Sequence, residues 1–315
     1  MHRPVVMTHV RPDADALACM FSVALAWRRE DVTPKVSLPE GSLSQRLGFM
    51  FEMAAVPLAA PADFERADAF IALDTAKQSR CNVPLELKHT DWAAGRPIVN
   101  IDHHGTNTLF GQHNWVEPNA SSTAELIYYL LKEAGRAINK TMASLLFAGI
   151  HTDTSGFALP NTTASSLQAA SELIRLGADA ADLGERLCHS QTRSLFDLLR
   201  VIYTNTKVLA DGRLAYSTAS YDEIIGSGCT AADIDDQVDV VRSLDGVQLA
   251  MLFTEGVPGK TRINFRGSGP VTVVDLAAKF NGGGHERAAG AVINKPLQEV
   301  VDRVLPGAIE HLNRF

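Results

Sequence analysis

The chain has 315 residues, of which 46% are hydrophobic and 21% are charged. This length favours two domains, and this composition excludes a largely disordered protein, because disordered chains combine low hydrophobicity with high charge. The formal net charge of −7 argues against binding long duplex nucleic acid, which relies on lysine and arginine to neutralise phosphates, and is compatible with a short anionic substrate.

The cysteines and the first residues bear on where the protein acts. The four cysteines, at positions 19, 81, 188 and 229, form no C-x-x-C pair, which is typical of reduced thiols in a cytoplasm. The opening "MHRPVVMTHV" enters an apolar run at once, without the segments of a signal peptide. No run approaches the roughly 20 apolar residues of a membrane-spanning helix. We therefore expect a cytoplasmic protein without membrane contact.

In the first half of the chain, apolar runs of strand length alternate with segments of helical periodicity. Strands are predicted at 4–8, 69–73 and 97–101. Helices are predicted in "ADALACMFSVALAWRRE" and in "SSTAELIYYLLKEAG", where Ser122 and Glu125 form a capping box and Gly135 ends the helix. The segment "TMASLLFAGI" predicts a buried helix that leads into "HTDTSGF". This alternation indicates an α/β fold with a mostly parallel sheet flanked by helices.

The composition changes after an amphipathic segment at 191–204, which we interpret as a linking helix between a domain at 1–190 and a smaller one at 205–315. In "KVLADGRLAYSTAS", Asp211 and Gly212 lie between two apolar runs and predict a hairpin. Further strands are predicted in "VQLAMLF", "KTRINFRG" and "AAGAVI", and a helix in "VTVVDLAAKF". We expect this second domain to be mixed α/β and the active site to lie in the cleft between the domains.

Aspartates and histidines stand where four predicted segments of the first half end. They are His9, Asp13 and Asp15 after the first strand, Asp74 after the second, Asp102, His103 and His104 after the third, and Asp153 after the apolar helix. Ligands of open α/β sheets bind at the carboxyl ends of strands, so we expect these side chains to meet. Carboxylates and imidazoles without thiolates suit manganese or magnesium better than structural zinc, and two such ions can promote phosphoryl transfer.

Each of these residues has a plainer interpretation when it is taken alone. His9 could be a hydrogen-bonded histidine at a strand end, and Asp13 or Asp153 could cap a helix. Their joint occurrence at the ends of four segments favours a metal site. The role of His151 stays open, because this histidine precedes Asp153 by two residues.

Four motifs resemble those of the DHH phosphoesterase family, in the same order along the chain: "HVRPDADA", "ALDTA", "IDHHGTN" and "GIHTDTSGF". The later "NFRGSGPVTVVDLAAKFNGGGHERAAG" resembles the glycine-rich signature of the DHH-associated C-terminal domain found in the oligoribonuclease and phosphoadenosine-phosphatase branch. Together these motifs cover nearly the whole chain. Ala14, where the family often has glycine, and Ala18 with Cys19 depart from the pattern, but no metal ligand is altered.

The resemblance implies that six side chains hold two divalent metal ions, with manganese the expected metal and magnesium the alternative: His9 and Asp13 at one ion, Asp15 and His103 at the other, Asp74 between them, and Asp153 completing the site. It also implies that His104 faces the substrate phosphate or leaving oxygen. Asp102 is then expected to orient a neighbouring imidazole through a hydrogen bond.

The glycine cluster of the second half is the predicted substrate-binding site. Gly282, Gly283 and Gly284 let the backbone approach a ligand closely and direct N–H groups at an anion, while His285 and Arg266 add side-chain donors. A glycine run alone could equally form an ordinary turn, so this prediction depends on the resemblance. Arg287 is expected to be a solvated surface charge.

The resemblance implies a metal-dependent hydrolase that degrades short RNA oligonucleotides to mononucleotides, with dephosphorylation of 3′-phosphoadenosine 5′-phosphate as a second activity of the branch. A phosphodiesterase of cyclic or linear dinucleotides is the enzymatic alternative. A family II pyrophosphatase is disfavoured by "FNGGGHERAAG", and an exonuclease of long single strands by the net charge. A nucleotide-sensing protein that retains the fold is the non-enzymatic alternative, although every expected ligand position is filled. The sequence is compatible with a monomer and with a homodimer.

Overall fold

The computed structural model describes residues 2–230, 233–234 and 237–315, and it divides the chain into two compact units that meet in sequence at Ser190 and Gln191. The first unit contains a five-stranded parallel sheet in the order β2-β1-β3-β4-β5. Its strands are β1 (Pro4–Met7), β2 (Lys35–Val36), β3 (Ala69–Leu73), β4 (Ile98–Asp102) and β5 (His113–Val116). Its α-helices are α1 (Ala14–Trp27), α2 (Gly48–Ala54), α3 (Pro61–Arg66), α4 (Thr123–Glu133), α5 (Lys140–Asp153), α6 (Ala164–Arg175) and α7 (Ala180–Gly184).

Helix α1 begins at Ala14 because Asp13 caps it. The side chain of Asp13 accepts a hydrogen bond from the main-chain N–H of Ala16. The helix is buried from Ala14 to Ala24 and packs on α4 and α5. On α5, a Cβ added to Gly149 would lie 2.7 Å from the Cβ of Ala124 on α4 and 2.7 Å from Oδ1 of Asp15 on α1. The three helices therefore pack more closely than a larger residue at position 149 would allow.

The start of α4 differs in one detail from the predicted capping box. Ser122 is the N-cap, and its side chain accepts from the N–H of Glu125, as predicted. The Glu125 carboxylate, however, accepts from the main-chain N–H and the hydroxyl of Ser121, at 2.8 and 2.7 Å, instead of from the N–H of Ser122. The side chain therefore reaches one residue further back and holds the connection that precedes the helix.

The second unit contains a six-stranded mixed sheet in the order β10-β11-β9-β8-β7-β6. Among the described strands of this second sheet, β7 and β8 are the only neighbours that run parallel. The strands are β6 (Lys207–Leu209), β7 (Leu214–Ala219), β8 (Leu249–Val257), β9 (Lys260–Gly267), β10 (Gly283–His285) and β11 (Ala288–Ile293). The α-helices are α8 (Arg193–Asn205), α9 (Tyr221–Gly226), α10 (Val238–Arg242), α11 (Val274–Ala278) and α12 (Leu297–Leu312).

The sheets confirm the predicted fold class, a mostly parallel α/β sheet and a smaller mixed unit. The predicted hairpin is formed by β6 and β7, and Ala210, Asp211 and Gly212 in its loop all have positive φ. The segment predicted as a linking helix is α8. Its apolar side, including Leu198 and Ile202, is buried in a cluster with residues of β7 and β8, so α8 packs as a part of the second unit.

Helix α11 is shorter than the predicted segment 271–280. The main-chain N–H of Val271 donates to the carbonyl oxygen of Ser268, and that of Val273 donates to the carbonyl oxygen of Glu286. The first main-chain hydrogen bond of the helix runs from the N–H of Ala277 to the carbonyl oxygen of Val273, so Val273 is the N-cap and the helix begins at Val274.

Two further findings concern the described part of the chain as a whole. None of its helices combines the length and the apolar character that crossing a lipid bilayer requires. The four cysteines carry free thiols; Cys19, Cys81 and Cys229 are buried and Cys188 is exposed.

Candidate active site

Three neighbouring strands of the first sheet bring the predicted metal ligands to one edge. Strand β3 lies between β1 and β4, and all three are parallel, so their carboxyl ends face the same way. His9, Asp74, His103 and His104 lie in the loops that follow these strands, and Asp102 is the last residue of β4. The carboxyl end of α5 adds Asp153 to the same place.

His9, Asp13 and Asp74 form one half of this arrangement. The Nε2 atom of His9 lies 3.7 Å from Oδ2 of Asp13 and 3.5 Å from Oδ2 of Asp74. One ligand atom from each of the three residues lies within 4.8 Å of the others. These distances leave room for one cation between an imidazole nitrogen and two carboxylate oxygens.

Asp15, His103 and Asp153 form the other half, with ligand atoms again within 4.8 Å of one another. The Nε2 atom of His103 lies 3.2 Å from Oδ2 of Asp153 and 3.7 Å from Oδ1 of Asp74. The Nδ1 atom of His103 lies 3.3 Å from the carbonyl oxygen of Ala120, a second contact of the kind that orients metal-binding imidazoles.

Asp74 stands between the two halves and shows a different oxygen to each. Its Oδ2 atom faces His9, and its Oδ1 atom faces His103. The residue is 2% exposed and has a φ of 52°, an uncommon backbone conformation that aspartate tolerates better than most residues. Such strain directly after a strand is found where the surrounding structure holds a functional group in place.

The charges of the site fit a divalent cation. Burial and the nearby carboxylates of Asp74 and Asp13 raise the pKa of Asp15 well above its usual range. Burial alone would lower the pKa of His9, but Asp13 and Asp74 outweigh it and raise this pKa to about 10. Neighbouring carboxylates contribute to both shifts, and a metal ion held by oxygen and imidazole donors would neutralise part of this buried negative charge.

Asp102 is fully buried and is held by three donors. Its Oδ1 atom accepts from the main-chain N–H of His103 at 2.9 Å and from Nδ1 of His104 at 2.7 Å. Its Oδ2 atom accepts from Nδ2 of Asn107 at 2.6 Å. The imidazole that Asp102 contacts is thus that of His104, whereas it meets His103 only through the main chain. Burial lowers the pKa of His104, but the hydrogen bond to Asp102 and the negative charges of Asp74 and Asp102 together outweigh burial, so the pKa is raised.

Asn107 was not singled out from the sequence, although it ends the motif "IDHHGTN". Its side-chain amide donates to Asn100 Oδ1 at 2.8 Å as well as to Asp102, and its Oδ1 atom accepts from the N–H of Leu109. The motif itself was the available signal. A role for Asn107 could not be read from it, because its partners depend on how the loop folds back on β4.

His151 belongs to an aromatic cluster with Phe147 and Phe157. Its ring stacks on Phe147 at 5.9 Å between centroids and meets the ring of Phe157 edge-on at the same distance. Burial lowers the pKa of this histidine. These contacts favour a packing role for a residue that the sequence left open.

The predicted substrate-binding residues of the second unit share one face of its sheet. Arg266 on β9 and His285 on β10 are both paired with Ala288 on the strand between them, and directly paired residues point to the same side. The Nε atom of Arg266 lies 3.5 Å from Oδ1 of Asp239, which also lies 3.0 Å from Nε of Arg242. An arginine and a histidine on one face are suitable donors for an anionic group.

The three glycines differ in what surrounds them within the second unit. A Cβ on Gly282 would lie 2.2 Å from the carbonyl oxygen of Gly290, and one on Gly284 would lie 2.4 Å from that of Ala288. Gly284 also has a φ of +146°. Gly283 has nothing within 4 Å of such an atom. Gly282 and Gly284 therefore allow close packing of main chains, and Gly283 leaves open space on the face of His285.

Two further polar residues of β9 lie on the face of Arg266 and were missed in the sequence. Arg262 and Asn264 precede Arg266 by four and two residues, and Nε of Arg262 donates to Oδ1 of Asn264 at 2.9 Å. The alternation in "KTRINFRG" was the available signal, since Ile263 and Phe265 are buried on the opposite face.

A buried aspartate and histidine centre at the carboxyl edge of a parallel sheet, in a chain with a second mixed-sheet unit, defines a metal-dependent phosphoesterase. The chain belongs to the DHH family. The model of the DHH family N-terminal domain matches residues 3–150, and that of the DHHA1 domain matches residues 211–314. This membership confirms the predicted family and the hydrolase class.

Named relatives and one solved structure agree with this assignment. The bifunctional oligoribonuclease and PAP phosphatase NrnA of Bacillus subtilis is 31% identical over 308 residues, covering 96% of this chain and 92% of that protein. The protein of the same name from Thermus thermophilus is 29% identical over 320 residues, covering 98% and 90%. The crystal structure of an exopolyphosphatase-related protein from Bacteroides fragilis is similar with a TM-score of 0.83 and 25% identity, covering 98% and 92%.

Proposed function

We propose that this protein is a two-metal-dependent phosphoesterase that hydrolyses short RNA oligonucleotides to mononucleotides and dephosphorylates 3′-phosphoadenosine 5′-phosphate. The observation that carries the two-metal part is the placement of Asp74, whose two oxygens face histidines of different clusters. The names of the relatives from Bacillus subtilis and Thermus thermophilus support the two substrates. The proposal includes a cytoplasmic location and manganese as the metal, with magnesium as the alternative.

In this proposal, His9, Asp13 and Asp74 hold one ion, and Asp15, His103 and Asp153 hold the other together with Asp74. When bound, the ions supply Lewis acidity that activates a water molecule and neutralises charge on the phosphate. The protein supplies fixed ligand positions and excludes bulk water from the buried carboxylates. Carboxylate and imidazole donors without cysteine support manganese or magnesium over zinc.

His104 is assigned to the substrate. Asp102 keeps the proton of His104 on Nδ1, which leaves Nε2 as the nitrogen that exchanges a proton with the phosphate or the leaving oxygen. Because Asp102 is fully buried and bonded to three donors, it holds this tautomer firmly. Arg266, His285 and the glycines at 282–284 are assigned to the nucleotide, and the common face of Arg266 and His285 on the second sheet supports that role.

The decisive experiment measures turnover with manganese on a panel of substrates: RNA dinucleotides, short RNAs, long single strands, 3′-phosphoadenosine 5′-phosphate and cyclic dinucleotides. The expected result is rapid conversion of dinucleotides and short RNAs to mononucleotides, release of phosphate from phosphoadenosine phosphate, and slow attack on long strands. Faster cleavage of cyclic dinucleotides would replace this proposal with the phosphodiesterase alternative. Tight nucleotide binding without turnover would favour the sensor.

The oligomeric state, for which the sequence is compatible with a monomer and with a homodimer, is tested separately. Light scattering coupled to size-exclusion chromatography gives the mass of the protein in solution, which for one chain is 34.0 kDa. A mass of one chain at assay concentrations would contradict a homodimer and would leave the catalytic proposal intact.

A further inference from the structure

The first residues of α4 contact two of the predicted metal ligands at once. The main-chain N–H groups of Thr123 and Ala124 donate to Oδ2 and Oδ1 of Asp15, each at 2.8 Å. The hydroxyl of Thr123 donates to Oδ1 of Asp74, also at 2.8 Å. Thr123 is fully buried, and the two aspartates are 1% and 2% exposed. One residue is thus hydrogen-bonded to both carboxylates.

We infer that Thr123 is a positioning residue of the metal centre, which keeps the carboxylates of Asp15 and Asp74 at a fixed separation. The inference rests on the proposed two-metal function, in which Asp15 binds one ion and Asp74 binds both. Thr123 lies 108 residues from Asp15 and 49 from Asp74, so only the folded chain brings the three together.

The contacts of Thr123 differ from those of an ordinary residue in the first turn of a helix. The N-cap role belongs to Ser122, whose side chain accepts from the N–H of Glu125. Serine and threonine hydroxyls near helix ends commonly bond to their own main chain, whereas that of Thr123 donates to a carboxylate on another element. Its hydroxyl therefore contributes to the orientation of Asp74 and is not needed to cap α4.

The start of α4 is itself held firmly, as a positioning element requires. The Oε2 atom of Glu125 accepts from the N–H and the hydroxyl of Ser121. Its Oε1 atom accepts from the hydroxyl of Ser165 on α6 at 2.5 Å. The N-terminal end of α4 also carries the positive end of the helix dipole, which favours the negative charge of Asp15.

Substitution of the hydroxyl separates the two contacts. In Thr123→Val, the main-chain N–H still holds Asp15, but Asp74 loses its hydroxyl donor and can rotate about its side-chain bonds. The loss of one such supporting hydrogen bond typically weakens metal binding by about tenfold to a hundredfold. Thr123→Ser keeps the donor and should restore affinity, which a purely space-filling role for the methyl group would not predict.

The test is a calorimetric titration of the metal-free protein with manganese. For Thr123→Val, the dissociation constant of the lower-affinity manganese site should rise by about tenfold to a hundredfold. For Thr123→Ser, this dissociation constant should stay near the wild-type value. The matched control is Thr261→Val on β9, which removes an equally buried hydroxyl that donates to the carbonyl oxygen of Lys295 at 2.9 Å. Whatever its effect on the melting temperature, this control should leave both dissociation constants unchanged.

Kinetics supply a second measurement. At limiting manganese, kcat of Thr123→Val should fall, and saturating manganese should restore most of it while KM for the substrate stays constant. Manganese affinity equal to the wild type in Thr123→Val, or equally weak binding in Thr123→Ser, would overturn the inference. If Thr123→Val does not fold, Thr123→Ala removes the same donor without added bulk and is judged by the same criteria.

The outcome for the wild-type protein separates this inference from the proposed function. A wild-type protein that binds fewer than two manganese ions would overturn the two-metal proposal, whatever Thr123 does. Two ions bound by the wild type and by Thr123→Val with equal affinity would leave the proposed function standing and remove Thr123 from the centre.

Discussion

Asp74 is the residue whose geometry most constrains the chemistry, because a single carboxylate faces both clusters of ligands. An amide offers one oxygen and no charge, so Asp74→Asn should bind a second ion poorly. We expect kcat to fall by far more than tenfold, since the loss of one ion removes several kcal/mol of transition-state stabilisation and about 1.4 kcal/mol corresponds to a factor of ten.

The matched control for this prediction is Asp68→Asn. Asp68 precedes the same strand at its amino end, where it accepts from the main-chain N–H groups of His2 and Arg3. Steady-state kinetics and metal analysis of both variants give the comparison. An Asp74→Asn enzyme that keeps more than a tenth of the wild-type kcat would refute the assignment of Asp74 as the shared ligand.

His104 is assigned to the substrate and not to an ion, so its removal should separate turnover from metal content. We expect His104→Ala to lower kcat by about a hundredfold or more, within the range of general acid–base catalysis, while two ions remain bound. Elemental analysis of the purified variant checks this. The exposed His113 on β5 provides the control, since His113→Ala should alter neither quantity. Loss of an ion in His104→Ala would instead make His104 a metal ligand.

At the scale of elements, the close packing of α1, α4 and α5 links stability to the predicted metal centre. A methyl group at position 149 would collide with both Ala124 and the carboxylate of Asp15. We expect Gly149→Ala to lower the free energy of unfolding by about 1 to 3 kcal/mol, the usual effect of overpacking, and to weaken metal binding as well.

Gly307 in α12 is the matched control, because an added Cβ there meets nothing within 4 Å. Gly307→Ala should be neutral or stabilise the protein by up to about 1 kcal/mol, as alanine is the better helix former. Denaturant unfolding measures both variants. Equal stability of Gly149→Ala and the wild type would show that α1, α4 and α5 can move apart with little loss of free energy of unfolding.

At the scale of the whole molecule, the two units are assigned different tasks, with metal binding in the first and nucleotide recognition in the second. Arg266→Ala and His285→Ala should therefore retain two ions but lower kcat/KM for an RNA dinucleotide by about tenfold to a hundredfold. This loss corresponds to about 1.5 to 3 kcal/mol, which is the contribution of one hydrogen bond to a charged group.

A small phosphodiester without a nucleoside, such as bis-p-nitrophenyl phosphate, should be affected much less. Arg242 and Arg266 both contact Oδ1 of Asp239. Arg242→Ala therefore controls for the loss of an ion pair with Asp239. If both substrates lose the same factor, the two residues support the catalytic geometry itself. If neither substrate is affected, the glycine cluster is an ordinary turn.

The sequence by itself determined the fold class and which aspartates and histidines meet at the carboxyl edge of the first sheet. Strand ends can be recognised locally, from apolar runs that stop at aspartate or histidine, and parallel strands place their carboxyl ends together whatever the details of packing. The capping role of Ser122 and the hairpin at Asp211 and Gly212 were likewise local, since the groups involved are a few residues apart.

The tertiary structure alone decided how these residues are held. Which oxygen of Asp74 faces which histidine, which imidazole Asp102 contacts and which glycines pack against a neighbouring strand all depend on contacts between distant segments. Thr123 shows the reason most clearly. Its partners are separated from it by 49 and 108 residues, and no pattern of spacing in the chain specifies a hydrogen bond that exists only after helices and sheet have packed.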